Sequence, residues 1–392
     1  MRVLVTDSDN RSALAATRSL GRAGYQVMVM GEREASIAAA SRYCSRFLPC
    51  PSPIDTPDAF LAAVFAACRE HGIRLLLPMT EVTTLLLTRA RAQLPAGCVL
   101  PFADEATLQR ASDKAAMVAL AESLKVPTPA SIRLNSAAEL VDAGVLPYPV
   151  VIKPGRSRVL TDKGWLSTGV TYANNETDLR GQLHALPPQV YPVLLQERIQ
   201  GPGEGFFALY AQGKPVAFFA HRRLREKPPS GGVSVLRESA EIAPDTQSYG
   251  TALLGALQWH GVAMVEFKRC ENSHRLYLME INARFWGSLQ LAIDSGVDFP
   301  LLLAKIAAGE TPAPVAHRVG VRSRWLLGDL DVLIKVLTRS RESLNLPANF
   351  PSRGRLLWEF LQFWRKDQRD EIWQGDDRKP GWFELKKWLG GR

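Results

Sequence analysis

Residues 276–288, LYLMEINARFWGS, constrain this chain more than any other stretch. Leu276, Leu278 and Ile281 mark a strand, and a period of two places Glu280, Asn282 and Arg284 on one face of it. A second apolar run just before it, AMVEFKR, carries Glu266. Two strands joined by a short turn lie side by side, so Glu266, Glu280 and Asn282 can point three oxygen ligands into one space. Magnesium takes hard oxygen ligands of this kind and keeps water or phosphate in its shell. Arg284 offers a bidentate fork to phosphate or carboxylate. The residues alone also allow a solvated strand face whose ion pairs contribute little.

The first hundred residues alternate strand and helix. RVLVTDS reads as a buried strand, SALAATRSLGRAGYQV as a helix and turn, and QVMVMG as the next strand. TPDAFLAAVFAACREHG is a helix capped by Thr56, with Pro57 inside its start and Gly72 beyond its end. The short apolar run IRLLLPM follows. Such alternation predicts a parallel sheet covered by helices. The first loop lacks G-x-G-x-x-G, so a nicotinamide site has little support.

Near residue 112 the pattern changes to α+β. SDKAAMVALAESLKVPTP predicts a helix capped by Ser112 or Asp113, and Lys114 opens it. A basic residue there opposes the helix dipole unless an anion sits nearby. YPVVIKPG is a strand ending in Lys153, a sensible phosphate contact. Residues 155–165 read as a mobile polar loop, with Gly155, Gly164, Arg156, Arg158 and Lys163. Two or three antiparallel strands are expected within 192–224, where Glu197 and Glu204 flank a Gly-Pro turn and could accept from sugar hydroxyls. Arg222, Arg223 and Arg225 could bind an acid or equally be solvated. Each of these features, taken alone, also reads as surface charge.

The 392 residues suffice for two or three domains, and 46% apolar with 22% charged residues fits a soluble globular protein. No apolar run reaches the length of a membrane span, and the start MRVLVTDSDN does not read as a signal peptide. A cytoplasmic location is expected. The five cysteines lack paired spacing and are expected to be reduced thiols, and the six scattered histidines offer no zinc cluster. Of the net charge of +9, residues 321–392 carry +5, from 15 Lys or Arg against 10 Asp or Glu. Nucleic acid, an anionic membrane or an ordinary basic surface could each account for it.

In order along the chain, Lys114, VVIKPG, LLQERIQGPGE, FFAHRR, MVEFKR and LMEINARFWGS resemble the ATP-grasp superfamily, in the branch around biotin carboxylase, carbamoyl-phosphate synthetase and the carboxylate–amine ligases. The resemblance covers roughly residues 1–310. It implies an α/β and α+β architecture: a parallel-sheet pre-ATP domain (1–112), two lobes around the nucleotide (113–195 and 196–320), and a Trp-rich, mainly helical C-terminal extension (321–392). It implies ATP as cofactor, with magnesium or manganese. Lys114 and Lys153 resemble the phosphate-contacting lysines, and residues 155–165 the loop that closes over the triphosphate. Gln196, Glu197 and Ile199 resemble the hinge that meets adenine, and Glu204 the ribose-binding acid. Glu266, Glu280 and Asn282 resemble the metal ligands. Arg284 resembles the arginine near the transferred phosphoryl group, while His221 and Arg223 match basic positions near phosphate and substrate. The loop lacks the dense glycine run of many members, and neither a biotin-attachment motif nor a glutaminase triad is present.

The implied activity is an ADP-forming ligase joining a small-molecule carboxylate to an amine through an acyl phosphate. A small-molecule kinase and a non-catalytic nucleotide-binding regulator or scaffold remain as other readings. A homodimer is left open and nucleic acid is not an expected partner. The extension holds six of the nine tryptophans and is expected to fold against protein, with peripheral membrane contact as the alternative.

Overall fold

The computed structural model describes every residue except 143–145, 156–157, 162–163, 230–231, 345, 347–349 and 392. Three short runs near the N-terminus form strands because they are apolar on both faces. Arg2–Val5, Gln26–Gly31 and Leu75–Leu77 are almost wholly buried, as parallel strands covered by helices must be. With Cys44–Pro49 they make a parallel sheet in the spatial order Cys44–Pro49, Gln26–Gly31, Arg2–Val5, Leu75–Leu77. The helices Arg11–Arg22 and Pro57–Glu70 follow the first and third of these in sequence. Thr56 precedes the second helix, but its hydroxyl donates to the Ser52 carbonyl (3.2 Å) and leaves the helix N–H groups alone.

Asp104 accepts from Thr107 N–H and starts the helix Glu105–Ser112, and Asp113 accepts from the N–H groups of Ala115 and Ala116, both at 3.0 Å, and starts Lys114–Ser123. A four-stranded antiparallel sheet then runs Ser131–Leu134, Val193–Glu197, Val150–Pro154, Thr171–Ala173. The lobe boundary expected after residue 195 falls inside one of its strands. The run 192–224 contributes three strands, split between two sheets: Val193–Glu197 here, and Gly203–Ala211 with Lys214–Lys227 in the next.

That larger sheet has seven strands in the order Leu276–Asn282, Gly261–Arg269, Gly203–Ala211, Lys214–Lys227, Val233–Ser239, Arg322–Arg324, Gln368–Asp370. Its last two strands belong to the C-terminal extension, so the sheet continues across residue 320. One face, with Ala263, Val265 and Phe267, packs on Leu120 and Leu253. The other, with Val262 and Met264, joins Phe207, Trp286 and the core of the N-terminal sheet.

The six tryptophans of the extension divide. Trp325 and Trp373 pack against the core, Trp358, Trp364 and Trp382 are exposed, and half-buried Trp388 donates its indole N–H to Asp331 (3.0 Å). Carboxylates fasten the extension instead. Fully buried Arg18 donates to Asp377 (2.8 Å) and to the carbonyls of Glu371, Ile372 and Asp377. The five cysteines are free thiols. Among the described residues no helix is long and apolar enough to cross a membrane.

Candidate functional site

The strands Gly261–Arg269 and Leu276–Asn282 pair antiparallel, with Glu266 opposite Glu280 and Met264 opposite Asn282. An irregularity follows this pair, where Phe267 pairs with Leu278 and Met279 on the partner strand is left without an opposite residue. The pairing therefore brings two carboxylates and an amide to one strand end. A chain of hydrogen bonds orders them: Arg284 Nη2 donates to Asn282 Oδ1 (3.1 Å), and Asn282 Nδ2 donates to Glu280 Oε1 (3.0 Å). Glu266 accepts from Arg223 Nη2 at 2.8 Å. Burial pushes the Glu266 carboxyl above its usual range; Arg223 opposes that and the Glu280 charge adds to it. Two acids facing each other at a buried strand end, and an amide oxygen beside them, suit a divalent cation. Among the described residues no group of three or more His, Cys, Asp or Glu is placed to hold a metal ion.

Two lysines approach the same acids from the facing elements. Lys114 begins its helix, and its N–H donates to the Gly155 carbonyl (3.1 Å). Lys153 ends the strand Val150–Pro154. Burial lowers both ammonium groups. Lys153 is brought to about 8, with the Glu280 charge opposing the fall and the Lys114 charge adding to it. Gly155 sits so close to the Pro192 carbonyl that a Cβ would lie 2.7 Å from its oxygen, so the turn after Lys153 needs glycine. Beyond it, Arg158–Thr161 and Gly164–Ser167 pair as an antiparallel hairpin where the sequence predicts a loop. Arg156 and Lys163 lie outside the described residues, as does the side chain of Arg158.

The predicted hinge residues end the strand Val193–Glu197 and begin its connection to the strand Gly203–Ala211. Gln196 is buried; its Nε2 donates to Ser131 Oγ (2.8 Å), and its Oε1 has no partner among the described residues. Glu197 N–H donates to the Ala130 carbonyl (2.9 Å), and the Ile199 carbonyl accepts from Lys268 Nζ (3.4 Å). Glu204 stands apart from the free acid that sequence suggests. Arg269 grips both its oxygens (2.6 and 3.0 Å) and Thr246 Oγ1 donates to one of them (3.0 Å).

His221 and Arg223 come from the strand Lys214–Lys227. The His221 ring stacks on Phe207 with centroids 4.7 Å apart, and its Nε2 pairs with Ser288 Oγ (2.8 Å). Complete burial, reinforced by Arg237 and Arg223, pushes His221 well below its ordinary value, so it is neutral near pH 7. Of the three arginines 222, 223 and 225, only Arg223 reaches the acids. Arg222 pairs with Glu238, and Arg225 is buried on Asp329 (2.6 Å).

The strand end is flanked by two cavities. A small one, about 40 Å³, has Lys114, Glu280, Asn282 and Arg284 in its walls. A larger one, about 210 Å³, is walled by Glu266, Glu280, Asn282 and Arg284 on one side and by Arg11 and Arg237 on the other. Sequence reasoning missed Lys268, Arg269, Ser288, Arg11 and Arg237. Lys268 and Arg269 stand two and three residues beyond Glu266 and could have been suspected. Arg11 and Arg237 carry no local signal.

A parallel N-terminal sheet followed by a four-stranded antiparallel sheet and a larger, mainly antiparallel one is the ATP-grasp fold. Residues 191–328 match the family model described as "ATP-grasp in the biosynthetic pathway with Ter operon". Among solved structures, the L-amino acid ligase from Bacillus licheniformis superimposes with a TM-score of 0.58 at 17% identity, covering 78% of this chain and 73% of that one. The N5-carboxyaminoimidazole synthetase from Staphylococcus aureus, complexed with ADP, gives 0.61 at 14% identity, with 81% and 79% covered. The biotin carboxylase domain of the Hydrogenobacter thermophilus 2-oxoglutarate carboxylase, in complex with MgADP and bicarbonate, gives 0.65 at 16% identity, with 82% and 73% covered.

Proposed function

We propose that this protein is an ATP-dependent, ADP-forming ligase that joins a carboxylate to an amine through an acyl phosphate. The observation that carries the reading is the register of Glu266 against Glu280, with both acids near Lys153 and Glu280 near Lys114. In this reading Glu266, Glu280 and Asn282 hold magnesium, which neutralises phosphate charge when bound. Lys114 and Lys153 take the phosphate oxygens. Gln196, Glu197 and Ile199 receive the adenine, and Glu204 is available to the ribose once it exchanges bonds with Arg269. Arg284 and Arg223 orient the incoming carboxylate and stabilise the transferred phosphoryl group. His221, neutral and held by Ser288, serves as a hydrogen-bonding neighbour and not as a further positive charge. The domains at 1–112, 113–195 and 196–320 become the first domain and the two lobes, while 321–392 completes the large sheet.

Alignment and charge neutralisation supply most of the acceleration in phosphoryl transfer. The test is Glu280→Gln, which keeps size and removes one charge. ADP release with magnesium, over pooled carboxylates and amines, should fall at least about a hundredfold while the thermal melt holds. Hydroxylamine should trap a hydroxamate in the wild type. Undiminished turnover in Glu280→Gln would refute the metal assignment, and ADP release without a hydroxamate would favour a kinase.

A further inference from the structure

The larger cavity has a second positive end, opposite the one the ligase reading uses. Arg11 is the first residue of its helix in the N-terminal domain, and Arg237 lies on the strand Val233–Ser239. Both line the cavity that Glu266, Glu280, Asn282 and Arg284 line from the other side. Arg11 Nη2 lies against the turn that follows Arg284, 3.4 Å from where a Cβ on Gly287 would sit.

Beyond their ion pairs, other acids act on the two guanidiniums only at longer range, Glu384 and Asp370 on Arg11 and Asp370 and Asp294 on Arg237. Both guanidiniums pair with one carboxylate, Glu371, which gives one oxygen to each. Arg237 is fully buried, and apart from Glu371 its bond is from Nη1 to the Ser234 carbonyl (2.8 Å). Its Nε is buried with no hydrogen-bond partner among the described residues. Arg11 stacks over Trp325 at 4.0 Å, which holds it in place without neutralising it. The helix that Arg11 opens has no acid in its first turn and no side-chain cap from Asn10, so its N-terminal N–H groups add positive potential at the same end. A buried guanidinium with an unsatisfied donor has a bond to offer an anion that enters the cavity.

We propose that Arg11 and Arg237 form a second anion site, which selects an acid substrate bearing another anionic group besides the carboxylate that reacts. This rests on the ligase reading for its orientation: the reacting carboxylate lies at Arg284, and the second group, a carboxylate or phosphate, lies at Arg11 and Arg237. A cavity of about 210 Å³ suits a small diacid and not a long chain. Glu371, from the extension, is the positioning residue that fixes both forks, which gives the extension a part in specificity.

The test is calorimetric binding to the full chain with ADP and magnesium present, which needs no turnover. The probes are butyrate against succinate, valerate against glutarate, and glycerate against 3-phosphoglycerate. The dianion of at least one pair should bind at least tenfold more tightly than its monoanion partner. Arg11→Gln should remove that preference by weakening the dianion about tenfold to a hundredfold, and leave the monoanion within about twofold. Arg11→Lys, which keeps the charge and loses the fork, should retain part of it. A phosphate preference without a dicarboxylate preference identifies the second group as phosphate. Equal binding within every pair, no dianion binding at millimolar concentration, or equal losses for both members in Arg11→Gln would overturn the proposal. If no carboxylate–amine pair releases ADP but the Arg11-dependent dianion preference holds, the anion site stands and the ligase reading fails.

Discussion

Arg18 and Glu266 are both charged, but Arg18 is fully buried and Glu266 half-buried, and their surroundings differ. Arg18 is fully buried and spends its donors on Asp377 and three backbone carbonyls. Asp377 in turn accepts from Ser41 Oγ (2.6 Å) and the Arg42 N–H (2.9 Å). Arg225 closes on both oxygens of Asp329 in the same manner, and Arg324 joins it there through Nε, with its Nη2 left without a partner among the described residues. Around Glu266 the opposite holds. It has Arg223 on one side and a second acid, Glu280, across the ladder. In the cavity it lines, His221 Nδ1 and Arg237 Nε are buried without partners among the described residues. Buried polar groups are normally satisfied, so a cluster that is complete reads as structure and one with vacant valences reads as a place kept for a ligand.

The largest expected effect separates these two clusters. Asp377→Ala leaves the Arg18 guanidinium buried without its counter-ion and should destabilise the fold by about 3–5 kcal/mol in denaturant unfolding. Glu266→Gln removes a carboxylate that burial and Glu280 already disfavour, and should shift stability by no more than about 1 kcal/mol in either direction while turnover is lost. Equal losses in the two variants would break the comparison.

A smaller effect concerns pH. Burial brings Lys153 from 10.5 to about 8, so below pH 8 the folded protein carries it charged at a cost in stability, and that cost is released as pH rises from 8 toward 10.5. Phosphate favours the charged form. ATP affinity should therefore fall above pH 8, by up to about tenfold per pH unit, and binding near pH 8–9 should take up protons from the buffer. AMP should respond less. Lys153→Met should bind ATP weakly with no such slope. Calorimetry in two buffers of different ionisation enthalpy would measure it, and a flat ATP profile in the wild type would place Lys153 away from the phosphates.

Sequence made the acid-bearing hairpin legible, because period two and a short turn determine which side chains meet. It also made the parallel sheet legible, because RVLV, QVMVMG and LLL are apolar on both faces. The capping of Lys114–Ser123 by Asp113 follows the same local logic. What was hidden is long-range pairing. Arg11 meets Glu371 and Arg18 meets Asp377 across about 360 intervening positions, and nothing near any of them in sequence announces it. Arg269 in the same way occupies Glu204, which local reasoning left free for a ribose. The extension shows the limit most clearly. Its tryptophans drew attention, yet its strands and carboxylates hold it to the core.

That leads to the smallest expected effect. Trp358 and Trp364 touch each other edge to face at 5.8 Å, but are 59% and 64% exposed. Trp325, by contrast, is packed under Arg11 and donates its indole N–H to Glu384 Oε1 at 2.6 Å. Replacing both Trp358 and Trp364 by Ser should change unfolding free energy by less than about 1 kcal/mol, because little of either ring leaves water on folding. Trp325→Ala should cost about 3–5 kcal/mol. If the double variant loses more than about 2 kcal/mol, the exposed rings are covered in solution. A melt that then varies with protein concentration would assign the cover to a second copy of the chain, since association stabilises by mass action.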